Sequence, residues 1–358
     1  MNINDVFQAV DAILIYNQDF RKSDLNFWYF TRLLDAFALG DTYFFKSKDK
    51  QIIITNEITT QLEEYSFEKS NFDFIIFKND KEKYDIIKKL LSENKKVGIS
   101  YSNLPVKEFE NLKKMIPNIE LVDIDPLLNE IRRVVDNFET SLIREAAKLT
   151  SEAAEEIINY IKEGMTEIEL SAKLTEILMK NGVRELAFPS IIAFGENSAI
   201  PHHISGPRKL KKGDFVLMDF GAKYKRYDAD MTRTYVFGKG SEKQKKIYSI
   251  VKKAQEIGIK ALKDGITGND VELAVRNYID TTEYKGQPNH GIGHGIGLGT
   301  YPAIYLGSNL VLKKNMVITI EPGIYLKGFG GVRIEDDILI KEDNVEVLTN
   351  AEKEYREI

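Results

Sequence analysis

Glu163-Gly-Met-Thr-Glu-Ile-Glu169 returns, little changed, as Asp264-Gly-Ile-Thr-Gly-Asn-Asp270. Each copy follows a long Lys/Glu-rich helical stretch, with Gly to end one helix and Thr to cap the next. Thr166 with Glu169 makes a capping box at the first of them. The two glycines lie 101 residues apart (265 − 164). Alone, such an echo is as readily chance. Its weight comes from four acids at nearly the same offset: 102 residues from Asp219 to Glu321 (321 − 219) and 105 from Asp230 to Glu335 (335 − 230). A helix–helix–strand–hairpin unit therefore reads as occurring twice, each copy delivering two carboxylates from one hairpin.

All four acids stand in or beside apolar, strand-like runs, where an unpaired charge is costly. Asp219 interrupts Phe215-Val-Leu-Met-Asp-Phe-Gly221 and Asp230 opens Asp230-Met-Thr-Arg-Thr-Tyr-Val-Phe237. Glu321 closes Val317-Ile-Thr-Ile-Glu-Pro322, and Glu335 lies within Val332-Arg-Ile-Glu-Asp-Asp-Ile-Leu-Ile340. The two-residue strand period puts Phe215, Leu217 and Asp219 on one face, so Asp219 points into an apolar layer. Each acid has a plainer reading: an Asx-turn before Gly221, a strand-entry residue at Asp230, a turn at Glu321-Pro322, and an ion pair from Arg333 to Glu335. The joint case outweighs these. Like charges ~4 Å apart repel by about 4 kcal/mol at an effective dielectric near 20. Four converging carboxylates thus call for cations, and with one imidazole, that of His294, they suit two divalent ions of the Mn, Co, Fe or Zn kind.

His294 belongs to His290-Gly-Ile-Gly-His-Gly-Ile-Gly-Leu-Gly299, whose glycines let backbone approach a ligand or another strand. The spacing does not fit a dinucleotide fingerprint. All four histidines of the chain, His202, His203, His290 and His294, fall in two loops rich in glycine or proline. The 358 residues carry a net charge of −5, with 43% hydrophobic and 29% charged residues. That balance is globular and argues against a nucleic-acid partner. Cysteine is absent, which excludes disulfides, thiolate nucleophiles and Cys-based zinc sites. No apolar run approaches the roughly 18 residues of a membrane span. Met1-Asn-Ile-Asn-Asp5 lacks the basic start of a signal peptide, so a cytoplasmic location without membrane association is expected.

Residues 1–130 read as a smaller α/β domain and residues 131–358 as a second, α+β one. Strand-like runs in the first are Ala12–Tyr16, Thr42–Phe45 turning into Gln51–Thr55, Phe72–Phe77, Lys96–Ser100 and Ile119–Asp123. Helical runs at Lys81–Ser92 and Lys107–Met115 separate the later strands, which predicts a partly parallel sheet. A long helix is predicted over Glu139–Glu163.

Asp219-Phe-Gly-Ala with Asp230-Met-Thr-Arg-Thr234, Gly293-His-Gly-Ile-Gly297, Thr319-Ile-Glu-Pro-Gly-Ile-Tyr325 and Gly331-Val-Arg-Ile-Glu-Asp336 together resemble the pita-bread metallopeptidases. These include prolidase, Xaa-Pro aminopeptidase, methionine aminopeptidase and creatinase. The first domain, with Ser23-Asp-Leu-Asn-Phe-Trp-Tyr-Phe-Thr31, resembles the creatinase-type N-terminal domain of the Xaa-Pro enzymes. The resemblance implies a pita-bread domain with pseudo-twofold duplication and two divalent ions per subunit. Asp219 would hold one ion, Asp230 and Glu335 would bridge both, and His294 and Glu321 would complete the second. It further implies hydrolysis before proline in short peptides, most of all Xaa-Pro dipeptides, by a hydroxide between the metals.

By the same resemblance, Glu321 exchanges the proton, His202 steadies the substrate, His290 lines the far side of the cleaved bond, and Arg333 binds a substrate carboxylate or orients Glu335. His203 is a bystander. Xaa-Pro enzymes carry a further histidine seven residues after the metal histidine; here that position is Tyr301, a phenol able to donate to an oxyanion but unable to supply an imidazolium. Aminopeptidase action on longer peptides, and a catalytically weak relative that binds peptide or protein, are the alternatives. The resemblance also implies a homodimer, with one subunit's N-terminal domain helping to close its partner's site.

Overall fold

The computed structural model describes residues 3–18, 23–34, 40–62, 72–299 and 304–358. They form two compact units, Met1–Arg132 and Arg133–Ile358. The first holds a sheet of β1 (Ala12–Asn17), β2 (Thr42–Lys46), β3 (Gln51–Asn56), β4 (Asp73–Phe77), β5 (Lys96–Ile99) and β6 (Glu120–Asp123). Their spatial order is β4-β3-β2-β1-β5-β6. β1–β2 and β2–β3 are antiparallel, while β3–β4, β1–β5 and β5–β6 are parallel. α1 (Asp80–Leu91) carries the chain from β4 to β5, α2 (Val106–Met115) is the crossover that the parallel β5–β6 pair requires, and α3 (Asp125–Arg132) follows β6. Leu14, Phe45, Ile54, Val97 and Leu112 lie in this unit's core.

The second unit opens with α4 (Asn137–Ile157), started by a capping box between Asp136 and Glu139. The helix is shorter than predicted. After Ile157 a single 3₁₀ turn, Ile158–Tyr160, leads into extended backbone at Ile161. Its Ile-Ile-Asn-Tyr run has poor helix formers, and Gly164 beyond it adopts φ +82°.

Next come α5 (Glu167–Lys180), β7 (Glu185–Leu186), β8 (Ile191–Phe194), β9 (Phe215–Phe220), β10 (Ala222–Tyr224), β11 (Tyr227–Asp228) and β12 (Met231–Val236). The chain then repeats itself: α6 (Glu242–Ala261), α7 (Gly268–Asp280), β13 (Val317–Ile320), β14 (Gly323–Leu326), β15 (Gly330–Arg333), β16 (Asp336–Ile340) and the short β17 (Val345–Val347). β9 pairs with β12 and β13 with β16, both antiparallel.

The halves match bond for bond at their helix starts. Gly164 N–H donates to Leu210 O, and Leu210 N–H returns to Met165 O; Gly265 N–H donates to Leu312 O, and Leu312 N–H returns to Ile266 O. Both glycines take left-handed φ, +82° and +84°, and both following threonines form capping boxes, Thr166 with Glu169 and Thr267 with Asp270. Each helix pair buries its own core. Leu149, Leu170, Ile177, Val216 and Met218 build one; Val251, Val275, Ile318, Ile324 and Ile338 build the other.

Candidate metal centre

Each hairpin presents its acids where regular pairing ends. Asp219 is the second-last residue of β9, and Asp230 directly precedes β12. Glu321 directly follows β13, and Glu335 directly precedes β16. Asp230 stands at the strand entry as expected, but one expectation needs correcting: Glu335 does not lie inside a strand. Val332–Ile340 is broken between Arg333 and Asp336, because the Glu335 amide leaves its own sheet to donate to Thr232 O (3.2 Å) on the other hairpin. Further bonds join the hairpins: Thr234 Oγ1 donates to Arg333 O (2.9 Å), and the Asp230 amide donates to Asp337 Oδ2 (3.0 Å).

His294 reaches the same place through a third strand-like segment. Glu321 N–H donates to Ile292 O, Thr319 N–H to His294 O and Ile296 N–H to Val317 O. This close approach explains Gly293, where a Cβ would stand 2.0 Å from Thr319 O. His294 Nδ1 lies 3.0 Å from Gly295 O. A carbonyl only accepts, so Nδ1 carries the proton and Nε2 keeps its lone pair. Nε2 is 3.7 Å from Asp230 Oδ2 and 3.6 Å from Glu321 Oε1.

Asp219, Asp230, His294, Glu321 and Glu335 all line one cavity of about 330 Å³, with His202, His290, Arg333, Phe188, Ile191 and Pro201. Ligand atoms of Asp230, His294 and Glu335 lie within 4.8 Å of one another. Three buried oxygens there, Asp219 Oδ1, Asp230 Oδ1 and Glu335 Oε1, have no hydrogen-bond partner. A buried carboxylate oxygen left this way is costly unless a cation meets it. The donor set, hard oxygens with one imidazole nitrogen, fits divalent transition ions.

The electrostatics agree. Burial first, then Glu335, Asp219, Asp337 and Glu321, pushes Asp230 well above the usual carboxylate range. Burial, with Glu321 and Asp219, does the same to Glu335. Glu321 is pushed up to about 8 by burial and by Asp219, against the pull of the Arg333 guanidinium. Burial lowers His294, which favours the neutral, ligating imidazole.

Arg333 does not pair with Glu335 as its spacing predicted. Its Nη2 donates to Asp219 Oδ2 (2.5 Å), Nη1 to Pro201 O (3.3 Å) and Tyr325 Oη (2.9 Å), and Nε to Thr232 Oγ1 (3.0 Å). Thr232 in turn donates to Glu335 Oε2 (2.7 Å). Four of its five N–H groups are thus engaged within the protein. The Tyr325 hydroxyl donates to His290 Nε2 (2.8 Å), whose Nδ1 donates to Gly291 O (2.6 Å). Burial, aided by Arg333, His202 and Arg276, lowers His290 to about 4, so the ring is neutral.

Residues 141–342 match the model of metallopeptidase family M24, and residues 8–134 match the creatinase/prolidase N-terminal domain. The chain belongs to metallopeptidase family M24. It is 39% identical over 310 residues to the Xaa-Pro dipeptidase of Pyrococcus horikoshii, covering 85% of this chain and 87% of that one. Among solved structures it resembles the X-Pro aminopeptidase of Thermotoga maritima (TM-score 0.91, 29% identity, 98% of each chain covered). It also resembles the Xaa-Pro dipeptidase of Bacillus anthracis (TM-score 0.90, 31% identity, 99% of this chain and 98% of that chain). The second unit of this metallopeptidase has the duplicated pita-bread fold, and membership of the family implies a divalent metal cofactor.

Of the residues singled out in the sequence, eight line the cavity of this M24 metallopeptidase: Asp219, Asp230, His294, Glu321, Glu335, His202, His290 and Arg333. Tyr301 lies outside the described residues. His203 does not line the cavity; its Nε2 donates to Glu167 Oε2 (2.8 Å). Thr232 and Tyr325 went unassigned although both stand inside the quoted motifs. Their sequence signal was weak, because a hydroxyl in a β-rich run is ordinary until its partner across the fold is known.

Proposed function

We propose that this metallopeptidase hydrolyses the peptide bond before proline in short peptides, above all Xaa-Pro dipeptides, with two divalent ions (Mn, Co, Fe or Zn) held by Asp219, Asp230, His294, Glu321 and Glu335. The observation that carries the reading is the set of partnerless buried oxygens beside a neutral imidazole at the end of two duplicated hairpins. Its relatives' activity on Xaa-Pro bonds supports the substrate class. Ions bound there supply a polarised carbonyl and a water acidified toward neutral pH.

The chain's own residues do the rest. Glu321, raised to about 8, is matched to accepting and returning a proton near neutrality. His202, on the cavity wall, is placed to hydrogen-bond the substrate near the reacting carbonyl. Neutral His290, held by the buried Tyr325 hydroxyl, also lines the cavity. Arg333 holds Asp219 directly and Glu335 through Thr232, so we assign it to positioning these carboxylates rather than to a substrate carboxylate. Phe188, Ile191 and Pro201 give a proline ring apolar contact. Tyr301 supplies a phenolic donor where Xaa-Pro relatives have histidine. If neither Tyr301→Phe nor Tyr301→His changes kcat/KM on an Xaa-Pro substrate, that role is void.

Likeness to an X-Pro aminopeptidase favours a second reading, action on longer peptides. Hydrolysis of Xaa-Pro dipeptides against Xaa-Pro tripeptides, with Mn²⁺ or Co²⁺ restored after chelation, separates the two. Activity untouched by thorough chelation refutes both. Less than one tightly held divalent ion per chain by elemental analysis would favour a peptide-binding relative instead. Residues 1–130 are assigned to the creatinase-type domain and 131–358 to catalysis. A cytoplasmic homodimer completes the reading, tested by fractionation and solution mass.

A further inference from the structure

Glu167 is the first residue of α5 and is fully buried. Its Oε1 accepts from the Phe194 amide (2.8 Å) and Asn197 Nδ2 (2.9 Å). Its Oε2 accepts from His203 Nε2 (2.8 Å) and the Gly206 amide (2.9 Å). Two bonds to each oxygen fill the four lone-pair sites a carboxylate offers. These donors stand on both sides of His202 in the chain. Between them the segment has little packing to hold it: Ile200 is 52% exposed and Ile204 87%. Three further bonds tie the same stretch to the sheet: Arg333 to Pro201 O, the Gly331 amide to Ser198 Oγ, and the Ile192 amide to Ser205 Oγ.

The duplicated half shows what the backbone alone requires. Gly268 opens α7 as Glu167 opens α5. Glu167 N–H donates to Arg208 O and Ile168 N–H to Gly206 O; in the second half Gly268 N–H donates to Leu310 O and Asn269 N–H to Ser308 O. The same turn is built there with no side chain at all. The carboxylate is therefore dispensable to the repeat and particular to the half that carries His202.

We propose that Glu167 is a positioning residue for His202, gathering the 194–206 segment around its carboxylate so that the imidazole is held at the cavity wall. This rests on the peptidase reading above, in which His202 meets the substrate. Glu167 touches no substrate; it acts through His202, and His203 is one of its four fastenings.

A double-mutant cycle tests it. Glu167→Gln keeps the volume but puts an NH₂ group where one oxygen accepted two donors. In the parent, kcat/KM on an Xaa-Pro dipeptide should fall on the order of tenfold or more, because displacing a substrate-holding group by about 1 Å costs up to a hundredfold. In a His202→Ala background the same change should cost less than about twofold. Equal losses in both backgrounds mean a general structural role and overturn the proposal. Should Glu167→Gln not fold, His203→Gln, which alters a single fastening, is read by the same cycle. Hydrogen exchange of the metal-loaded, substrate-free protein is the independent readout. Peptides covering 194–206 should exchange faster in Glu167→Gln while those covering β9 and β13 do not, and unchanged exchange in 194–206 also overturns it. A parent enzyme inactive on every Xaa-Pro dipeptide overturns the activity reading alone, leaving the exchange measurement to decide the anchoring.

Discussion

Removing divalent ions should make stability fall with rising pH in a window set by Glu321. Its folded-state pKa is raised from 4.5 to about 8. Metal-free folded protein therefore keeps a proton that the unfolded chain has released. The stability supplied by that proton is full below the unfolded pKa and is lost as pH rises through about 8. Between pH 6.5 and 8 the loss spans 1.5 units, or about 2 kcal/mol at 1.36 kcal/mol per unit. For a unit the size of Arg133–Ile358, ~2 kcal/mol corresponds to roughly 4–8 °C in Tm. Asp230 and Glu335, raised in the same direction, add to it. Bound ions remove the effect by neutralising the cluster, at the cost of protons released on binding. The assay is a pair of melting curves, chelated and Mn²⁺-loaded, at pH 6.5, 7.25 and 8. The gap between the pair should widen with pH, and groups remote from the site cancel in the difference. A gap that is constant or narrows refutes the claim that these carboxylates repel one another until cations arrive.

Glu321→Gln should lower kcat by about 10²–10⁴-fold, the usual worth of a positioned acid–base group, while raising the Tm of chelated protein at pH 8. Retained activity would remove Glu321 from proton transfer. Tyr325→Phe strips the oxygen between Arg333 and His290; loss of about 1–3 kcal/mol in urea unfolding and a fall in kcat/KM are expected, and an unaltered enzyme would show the wall to be passive. Asp336→Ala strands fully buried Arg233, which should cost about 3–5 kcal/mol, and the pair Arg233→Met/Asp336→Leu should recover most of it. A single variant melting within 2 °C of the parent would contradict this.

The elements of the fold were legible wherever apolar period and caps agreed. The six strands of the first unit fall within a residue or so of their runs, and Thr166 caps its helix as its spacing requires. The duplication could be read because its marks are local: Gly for a left-handed turn, Thr for a cap, acids at strand ends. What escaped were pairings made across the fold. Arg333 stands two residues from Glu335, and spacing alone assigned it there; the break between β15 and β16 turns it to Asp219 instead. Glu167 carries no mark of its partners in the sequence, because its four donors are scattered over the 194–206 segment.

The failures share a cause that also explains the site. Two hairpins built by one repeat would, unaided, present four repelling carboxylates to each other. They are held in register by groups with no equivalent in the repeat. Thr232 and Thr234 bond to residues of the partner hairpin, and Arg233 donates to the backbone of Glu335 (2.7 Å) while pairing with Asp336 behind it. Asp336 also accepts from Gln255, Thr349 and Lys353, so the strand bearing Glu335 is anchored on the side away from the cavity. One face of β12 and the Asp230 that precedes it thus carries the carboxylate and the threonine bonds toward the cavity, and Arg233, on the other face, supplies the anchor. Duplication brings the charges together, and the departures from symmetry make their convergence stable enough to use.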